Sequence, residues 1–153
     1  MPEIRPLTRK EIRALYHVQV APGQEKFVAP NGLTMAQTPW EPGSEVFGIW
    51  EGETAVGLIA IIDFSHPEVT LHEGEDRDSL YVWRLLIDAQ HQKKGYGTAA
   101  LNFAKQMMRD RGLNSISLGV LNEPGSGVPF YQREGFVLSG IMIEGEAQMV
   151  WRP

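Results

Sequence analysis

An apolar strand that runs without a break into a glycine-punctuated turn, and from the turn into a helix, constrains this chain more than any other feature. Leu80 to Asp88 reads as a long strand carrying the aromatics Tyr81 and Trp83. Gln90 to Thr98 is rich in glycine and lysine, and Leu101, Ala104 and Met108 then recur on one side of a helix that stops at Gly112. Ser115 to Leu121 follows as another strand. A strand–helix–strand unit over residues 80–121 implies locally parallel pairing and a right-handed crossover.

The flanking segments complete a mixed α/β domain. Ile4 to Leu7 is a short extended segment, and Thr8 with Glu11 three residues on has the spacing of a capping box, so a helix is predicted from Thr8 with Ile12, Leu15 and Tyr16 on its apolar side. A second helix is expected after Asn31, ending before Pro39. Val46 to Glu51 and Thr54 to Asp63 form a hairpin about Gly52-Glu53, and residues 64–78 read as a polar loop. A short helix carries Phe130 and Tyr131 and ends at Gly135; Phe136 to Ile143 and Ala147 to Trp151 close the chain as a second hairpin. The 153 residues show no repeat or linker and suit one domain over 1–153.

The turn has the makings of an anion site. The first N–H groups of a helix have no internal partner, and the helix dipole favours negative charge there. Gly95 and Gly97 lack a Cβ, so a bulky pyrophosphate can approach the backbone, while Lys93 and Lys94 add charge and Thr98 a hydroxyl. A glycine pair alone also suits an ordinary strand-to-helix turn. It is not a P-loop, because no Gly-Lys-Ser/Thr follows, and it lacks the third glycine of the dinucleotide fingerprint.

Charge separates along the sequence. Residues 68–78 hold Glu68, Glu73, Glu75, Asp76 and Asp78 against Arg77, and residues 91–111 hold Lys93, Lys94, Lys105, Arg109 and Arg111 against Asp110. An acidic lip and a basic patch suit one cationic and one anionic ligand, and by themselves suit two solvated faces better. A net charge of −5 argues against a nucleic-acid binder. The absence of cysteine excludes disulfides and a thiol nucleophile and fits a cytoplasmic location. His66, His72 and His91 are scattered without metal-ligand spacing, so no metal is expected. No apolar run is long enough to span a bilayer, so no membrane partner is expected.

Gln92-x-x-Gly95-x-Gly97 after Leu86-Ile87-Asp88 resembles motif A of the GNAT superfamily of N-acetyltransferases. Pro129-Phe130-Tyr131 ahead of Gly135-Phe136 resembles its second signature, a tyrosine before a Gly-Phe pair. Within the family the chain is most similar to the bacterial diamine and spermine/spermidine acetyltransferase-like group, through Gln24-x-x-Phe27-Val28-Ala29-Pro30-Asn31, Tyr81 to Asp88 and Gly145 to Val150. The resemblance implies a mostly antiparallel sheet with one splayed parallel pair, flanked by helices, and acetyl-CoA as cosubstrate. It implies that Leu86, Ile87, Asp88, Gln92, Lys93, Lys94, Gly95, Tyr96, Gly97, Thr98, Asn122 and Phe130 contact the cofactor. Pantetheine would enter the gap like an added strand, its amides paired to main chain near Leu86 and Asp88. The asparagine that many relatives carry before the tyrosine falls here on Pro124, with Asn122 near it but out of register. Homodimers are common in the superfamily.

Acetyl transfer to an amine needs a proton removed from an ammonium of pKa about 10, a donor for the developing oxyanion, and a proton for the leaving thiolate. On the family pattern Tyr131 is the proton donor; by spacing alone it also suits a packed surface tyrosine. Asp63, Glu68 and Glu73 lie at or beyond a strand end as possible bases, though each is more often a plain surface carboxylate. The acidic segment with Glu25, Glu41 and Glu45 would attract a small cationic amine, a diamine or polyamine first, with another amine acceptor or a non-catalytic acyl-CoA-binding module as alternatives. Trp40, Trp50 and Trp83 suit an amine pocket, and suit the core better.

Overall fold

A computed structural model describes residues 2–153 as one seven-stranded sheet with helices on both faces. In chain order the elements are β1 (Glu3–Pro6), α1 (Ile12–Tyr16), α2 (Asn31–Gln37), β2 (Ser44–Glu51), β3 (Thr54–Asp63), β4 (Ser79–Ile87), α3 (Tyr96–Asp110), β5 (Ser115–Val120), α4 (Val128–Arg133), β6 (Val137–Ile143) and β7 (Glu146–Trp151). Single 3₁₀ turns at Glu25–Phe27, Thr38–Trp40 and Ala89–His91 punctuate the connections. The sheet order is β1-β2-β3-β4-β5-β7-β6. Its one parallel pair is β4 with β5, joined by α3 as the strand–helix–strand unit requires.

β3 lies well inside the sheet, and Val56 to Ile62 are buried in unbroken succession. A bulge at Val56 shifts the phase of the strand, and beyond it alternate residues feed opposite layers. Val56, Ile59 and Ile61 pack with Phe47 and Ile49 toward Leu101, Ala104 and Met108 of α3, while Leu58 and Ala60 join Val46, Met35 and Trp83 on the other face. Trp50 belongs to the core, beneath the Arg5 guanidinium at 4.7 Å. Trp40 overturns the core reading: it stands 85% exposed.

Two helix starts differ from expectation. Glu11 is drawn into an ion pair with Arg5 (2.9 Å), and the Thr8 hydroxyl donates to the Glu11 carboxylate instead of capping. No capping box forms, and α1 begins at Ile12, four residues late. The second helix starts at Asn31 itself, because Pro30 supplies the extended N-cap and the buried Asn31 amide donates to Leu15 O at 2.9 Å, tying α2 to α1.

β4 and β5 pair only from Ser79/Ser115 to Tyr81/Ser117. The β3 register then skips one residue of β4, pairing Ile61 with Val82 and Ala60 with Arg84, so Trp83 forms a bulge. A bulge bends its strand and raises the local twist. From there β4 leaves β5, and a wedge opens through the sheet.

Candidate functional site

The wedge is the inner part of a cleft of about 1450 Å³ that runs from the N-terminus of α3 to the 64–78 loop. Its strand walls are the unpaired halves of β4 and β5. Asp88 N–H donates to Val56 O at 2.8 Å, so this peptide group faces β3. Peptide groups alternate direction along an antiparallel pair. Leu85 and Ile87 therefore turn their N–H and C=O groups toward the wedge. Gln92 Nε2 takes the Ile87 carbonyl, so the groups left facing the wedge are the Ile87 N–H and both main-chain groups of Leu85, near the expected Leu86 and Asp88.

At the outer end the chain turns through Ala89–His91 and then through two left-handed residues, Lys93 (φ 63°) and Gly95 (φ 87°), before α3 begins at Tyr96. Gly95 is required by that backbone, since a left-handed conformation is costly for most other residues. Gly97 is required by packing: a methyl group there would lie 2.9 Å from Phe130 Cζ. No side chain caps the N-terminus of α3, which leaves its first N–H groups without an internal partner.

Asp88 builds this turn with its side chain. It accepts hydrogen bonds from Gln19 N–H (3.3 Å), Gln90 N–H (3.2 Å) and His91 Nδ1 (2.9 Å). Partial burial pushes the Asp88 carboxyl pKa up, but His91 and the two backbone donors outweigh it and hold the group below its usual range. Gln92 donates through Nε2 to Ile87 O (3.2 Å) and to Gln24 Oε1 (2.8 Å), and Gln24 Nε2 donates back to Gln92 Oε1 (3.3 Å). Thr98 Oγ1 donates to the Glu134 carboxylate.

The 3₁₀ turn at Glu25–Phe27 crosses the mouth of the wedge as a strap. Gln24 grips Gln92 on the β4 side. On the β5 side Lys26 pairs with Glu123, and Phe27 lies 3.8 Å from the position of a Cβ on Gly125. The sequence marks the Gln24-x-x-Phe27 segment but not the span it makes, because the contacts join residues about seventy or a hundred positions apart.

Tyr131 borders the cleft from α4. Its ring packs edge-on against Phe130 (5.2 Å) and Phe136 (5.7 Å), and burial alone pushes its phenol up to about 12. Of the residues expected at the cofactor, Leu86, Ile87, Gln92, Lys93, Gly95, Tyr96, Gly97, Thr98 and Phe130 border the cleft, as does Tyr131. Asp88, Lys94 and Asn122 do not. Asp88 is turned into the loop, and Lys94 and Asn122 are exposed.

The inner end of the cleft is acidic. Glu41, Glu68, Glu75, Glu144 and Glu146 border it, with His72, Tyr81, Trp83 and Arg84 among them. His72 bridges Glu75 (2.9 Å) and Glu144 (3.0 Å); these two bonds raise its pKa and favour the imidazolium. Tyr81 stacks on Phe64 at 5.0 Å, and burial, then Glu146, push its phenol up to about 12. Arg84 lies 4.4 Å over Trp83 and donates to Thr34 Oγ1 (2.8 Å) and Gln37 Oε1 (3.2 Å); burial lowers its pKa.

Two of the three carboxylates expected as bases lie elsewhere. Asp63 is outside the cleft and bonded to Arg111 (3.0 Å); burial pushes its pKa up, but Ser65 and Arg111 hold it below the usual range. Glu45 is claimed by the same Arg111 at 2.7 Å, and Glu73 does not border the cleft. Glu68 does. Glu144 and Glu146 escaped the sequence reading because a hairpin turn far along the chain carries them here. Among the described residues no cluster of three His, Cys, Asp or Glu is placed to hold a metal, and no helix is long and apolar enough to cross a membrane.

A sheet opened at its one parallel pair, with an uncapped helix at the mouth of the opening, is the acyl-carrier architecture that the GNAT resemblance implies. The chain belongs to the acetyltransferase (GNAT) family, which it matches over residues 12–136. It is 25% identical over 114 residues to an uncharacterized N-acetyltransferase of Oceanobacillus iheyensis, a match covering 72% of this chain and 65% of that protein. The fold is similar to the PaiA N-acetyltransferase of Thermoplasma acidophilum in complex with coenzyme A, with a TM-score of 0.71 at 16% identity over 100% of this chain and 99% of the other. It is also similar to a chimera of the spermidine N-acetyltransferase SpeG of Vibrio cholerae and hSSAT, with a TM-score of 0.70 at 20% identity over 99% and 95%. Acetyl-CoA as cosubstrate is consistent with this membership and with the free N–H groups at the mouth of the wedge.

Proposed function

We propose that the protein transfers the acetyl group of acetyl-CoA to a primary amine, by direct transfer in a ternary complex, with a diamine or polyamine as acceptor. The observation that carries the reading is the wedge itself. It joins an anion-binding turn at one end to an acid-lined pocket at the other, so both substrates meet inside the sheet.

In this reading the α3 N-terminus, Lys93 and the Gln92–Gly97 turn hold the pyrophosphate, and Leu85 and Ile87 offer main-chain groups to the pantetheine amides. Leu86, Tyr96, Thr98 and Phe130 shape the walls. Asp88 acts through the turn it braces. Lys94 contributes charge from outside the cleft, and Asn122 lies beside the arm without a contact of its own. Acetyl-CoA supplies an activated carbonyl. Tyr131, protonated throughout the physiological range, gives its proton to the departing sulfur. The carboxylates at the inner end draw in and orient a cationic amine. A likeness to a spermidine N-acetyltransferase chimera at the level of fold supports a polyamine acceptor without deciding it.

One observation favours a second reading. Arg84 faces the cleft with no acidic partner within ion-pair distance among the described residues. An acceptor carrying a carboxylate beside its amine, such as an amino acid, would meet that guanidinium. A thiol-release screen with acetyl-CoA across spermidine, putrescine, free amino acids and peptides separates the two. Turnover with the polyamines is expected, turnover confined to amino acids would replace the acceptor, and no turnover with any amine would overturn the enzyme reading. We further propose a cytoplasmic homodimer, joined through the β6 edge where Val137 and Met142 are exposed; light scattering on the purified protein tests the dimer.

A further inference from the structure

We infer that Glu146 is the catalytic base that takes the proton of the acceptor amine, acting over a bare stretch of β5 at Gly119. This inference rests on the acetyl-transfer reading above.

The wedge closes where β4 and β5 last pair, at Tyr81 and Ser117. A cofactor anchored at the α3 N-terminus and threaded inward brings its reactive end toward that closed corner. Gly119 stands two residues beyond the corner on β5 and borders the cleft. A methyl group on Gly119 would lie 3.0 Å from Glu146 Oε1 and 3.4 Å from the Tyr81 hydroxyl. A carboxylate and a phenol thus converge on the one place where the strand has no side chain. Glu146 is the first residue of β7, and the β5–β7 register, with Gly119 opposite Gln148 and Val120 opposite Ala147, sets it beside that place. Gln148 then donates to Gly74 O at 3.1 Å, anchoring the 64–78 loop over the same corner.

The other carboxylates of the pocket are engaged or remote. Glu75 accepts from the His72 N–H at 2.7 Å and from His72 Nδ1 at 2.9 Å, and Glu144 accepts from His72 Nε2 at 3.0 Å. Glu68 and Glu41 are exposed at the rim. Glu146 is half-buried and enters no salt bridge among the described residues. The titratable groups around it are Tyr81 and Arg84 from β4, Glu75 and His72 from the loop, and Glu144 from the β6–β7 turn.

An ammonium entering the corner gives one proton to a Glu146 oxygen, directly or through one water, and so gains the lone pair it needs. Its nitrogen forms the new N–C bond, the C–S bond breaks with its electron pair on sulfur, and sulfur takes the proton of Tyr131. The second N–H proton lost as the amide forms returns through water to the Tyr131 oxygen, and Glu146 releases its own to solvent. No oxidant or further reactant enters.

The test measures kcat/KM for spermidine between about pH 6 and pH 10, with acetyl-CoA affinity by calorimetry, for wild type, E146Q, E146D and E146A. General-base catalysis contributes on the order of 10²-fold or more. E146Q is therefore expected to lose roughly 10²-fold in kcat/KM near neutral pH, to recover part of it as rising pH deprotonates the amine, and to keep its acetyl-CoA affinity. E146D is expected to retain partial activity, and added formate to restore part of the E146A rate, a rescue that a merely structural role would not show. Wild-type turnover with E146Q equally fast and equally pH-dependent would overturn the inference and leave the acetyltransferase reading standing. Absence of wild-type turnover on any amine would overturn both.

Discussion

Tyr131 and Tyr81 approach the cleft from opposite walls, and both phenols are pushed up to about 12 by burial. A raised pKa keeps Tyr131 protonated across the physiological range, as the proposed donor role requires. Tyr131→Phe is expected to lower kcat roughly 10²-fold with acetyl-CoA affinity nearly intact, and single-turnover kinetics with calorimetry checks both halves. The same burial has a cost in alkali. A tyrosine whose folded pKa lies above its unfolded value near 10 stabilises the native state fully below pH 10 and loses that stabilisation as pH rises toward 12. Each phenol would account for about 2 kcal/mol of that loss, so urea unfolding of Tyr131→Phe should show a shallower decline over this interval than wild type. Gly97 answers to packing. Gly97→Ala sets a methyl 2.9 Å from Phe130 Cζ, against a ring wedged beside Tyr131. A loss of about 1–3 kcal/mol is expected, measurable as a lowered thermal midpoint.

Elements with a strong local code are legible in the sequence itself. The α3 stripe of Leu101, Ala104 and Met108 is buried as its spacing demands, Gly112 ends the helix with φ 69°, and both hairpins fall at their glycine turns. Where a side chain finds a distant partner, the local code gives way: Arg5 takes Glu11 from the capping box, and Leu15 takes the Asn31 amide. The site follows the same division. The glycine turn and Tyr131 belong to contiguous motifs, whereas Gln24, Glu144 and Glu146 reach the cleft only through the order of strands and loops. The Gln24–Phe27 strap is the clearest such element. One bank is held by the paired amides and the other by Lys26 with Glu123, so in the proposed reading the strap would slow the escape of a coenzyme bound beneath it. Gln24→Leu combined with Lys26→Ala is expected to speed coenzyme A dissociation several-fold, with little change in stability because both contacts are partly solvent-exposed. Stopped-flow displacement reads the rate.

Across the whole molecule the charge is negative, and the excess gathers at the inner end of the cleft while the α3 N-terminus and Lys93 mark the outer. In the proposed reaction this distribution would sort substrates of opposite sign to opposite ends of one channel. Encounter with a cationic amine should be steered by this field and screened by salt. Raising ionic strength from about 50 mM to about 500 mM is expected to lower kcat/KM for spermidine several-fold, more than for a monoamine of similar reach. A flat response in steady-state assays would count against a polyamine acceptor.

The parting of β4 from β5 carries a liability as well as a use. Half of each strand gives up the ladder that would otherwise lock it, which leaves an unzipped seam through the centre of the protein. Amides of Leu85 and Ile87 should then trade their hydrogens for deuterium quickly when no cosubstrate is present and slowly once coenzyme A bridges the seam. By mass action the same bridging should raise the melting temperature as coenzyme A is added.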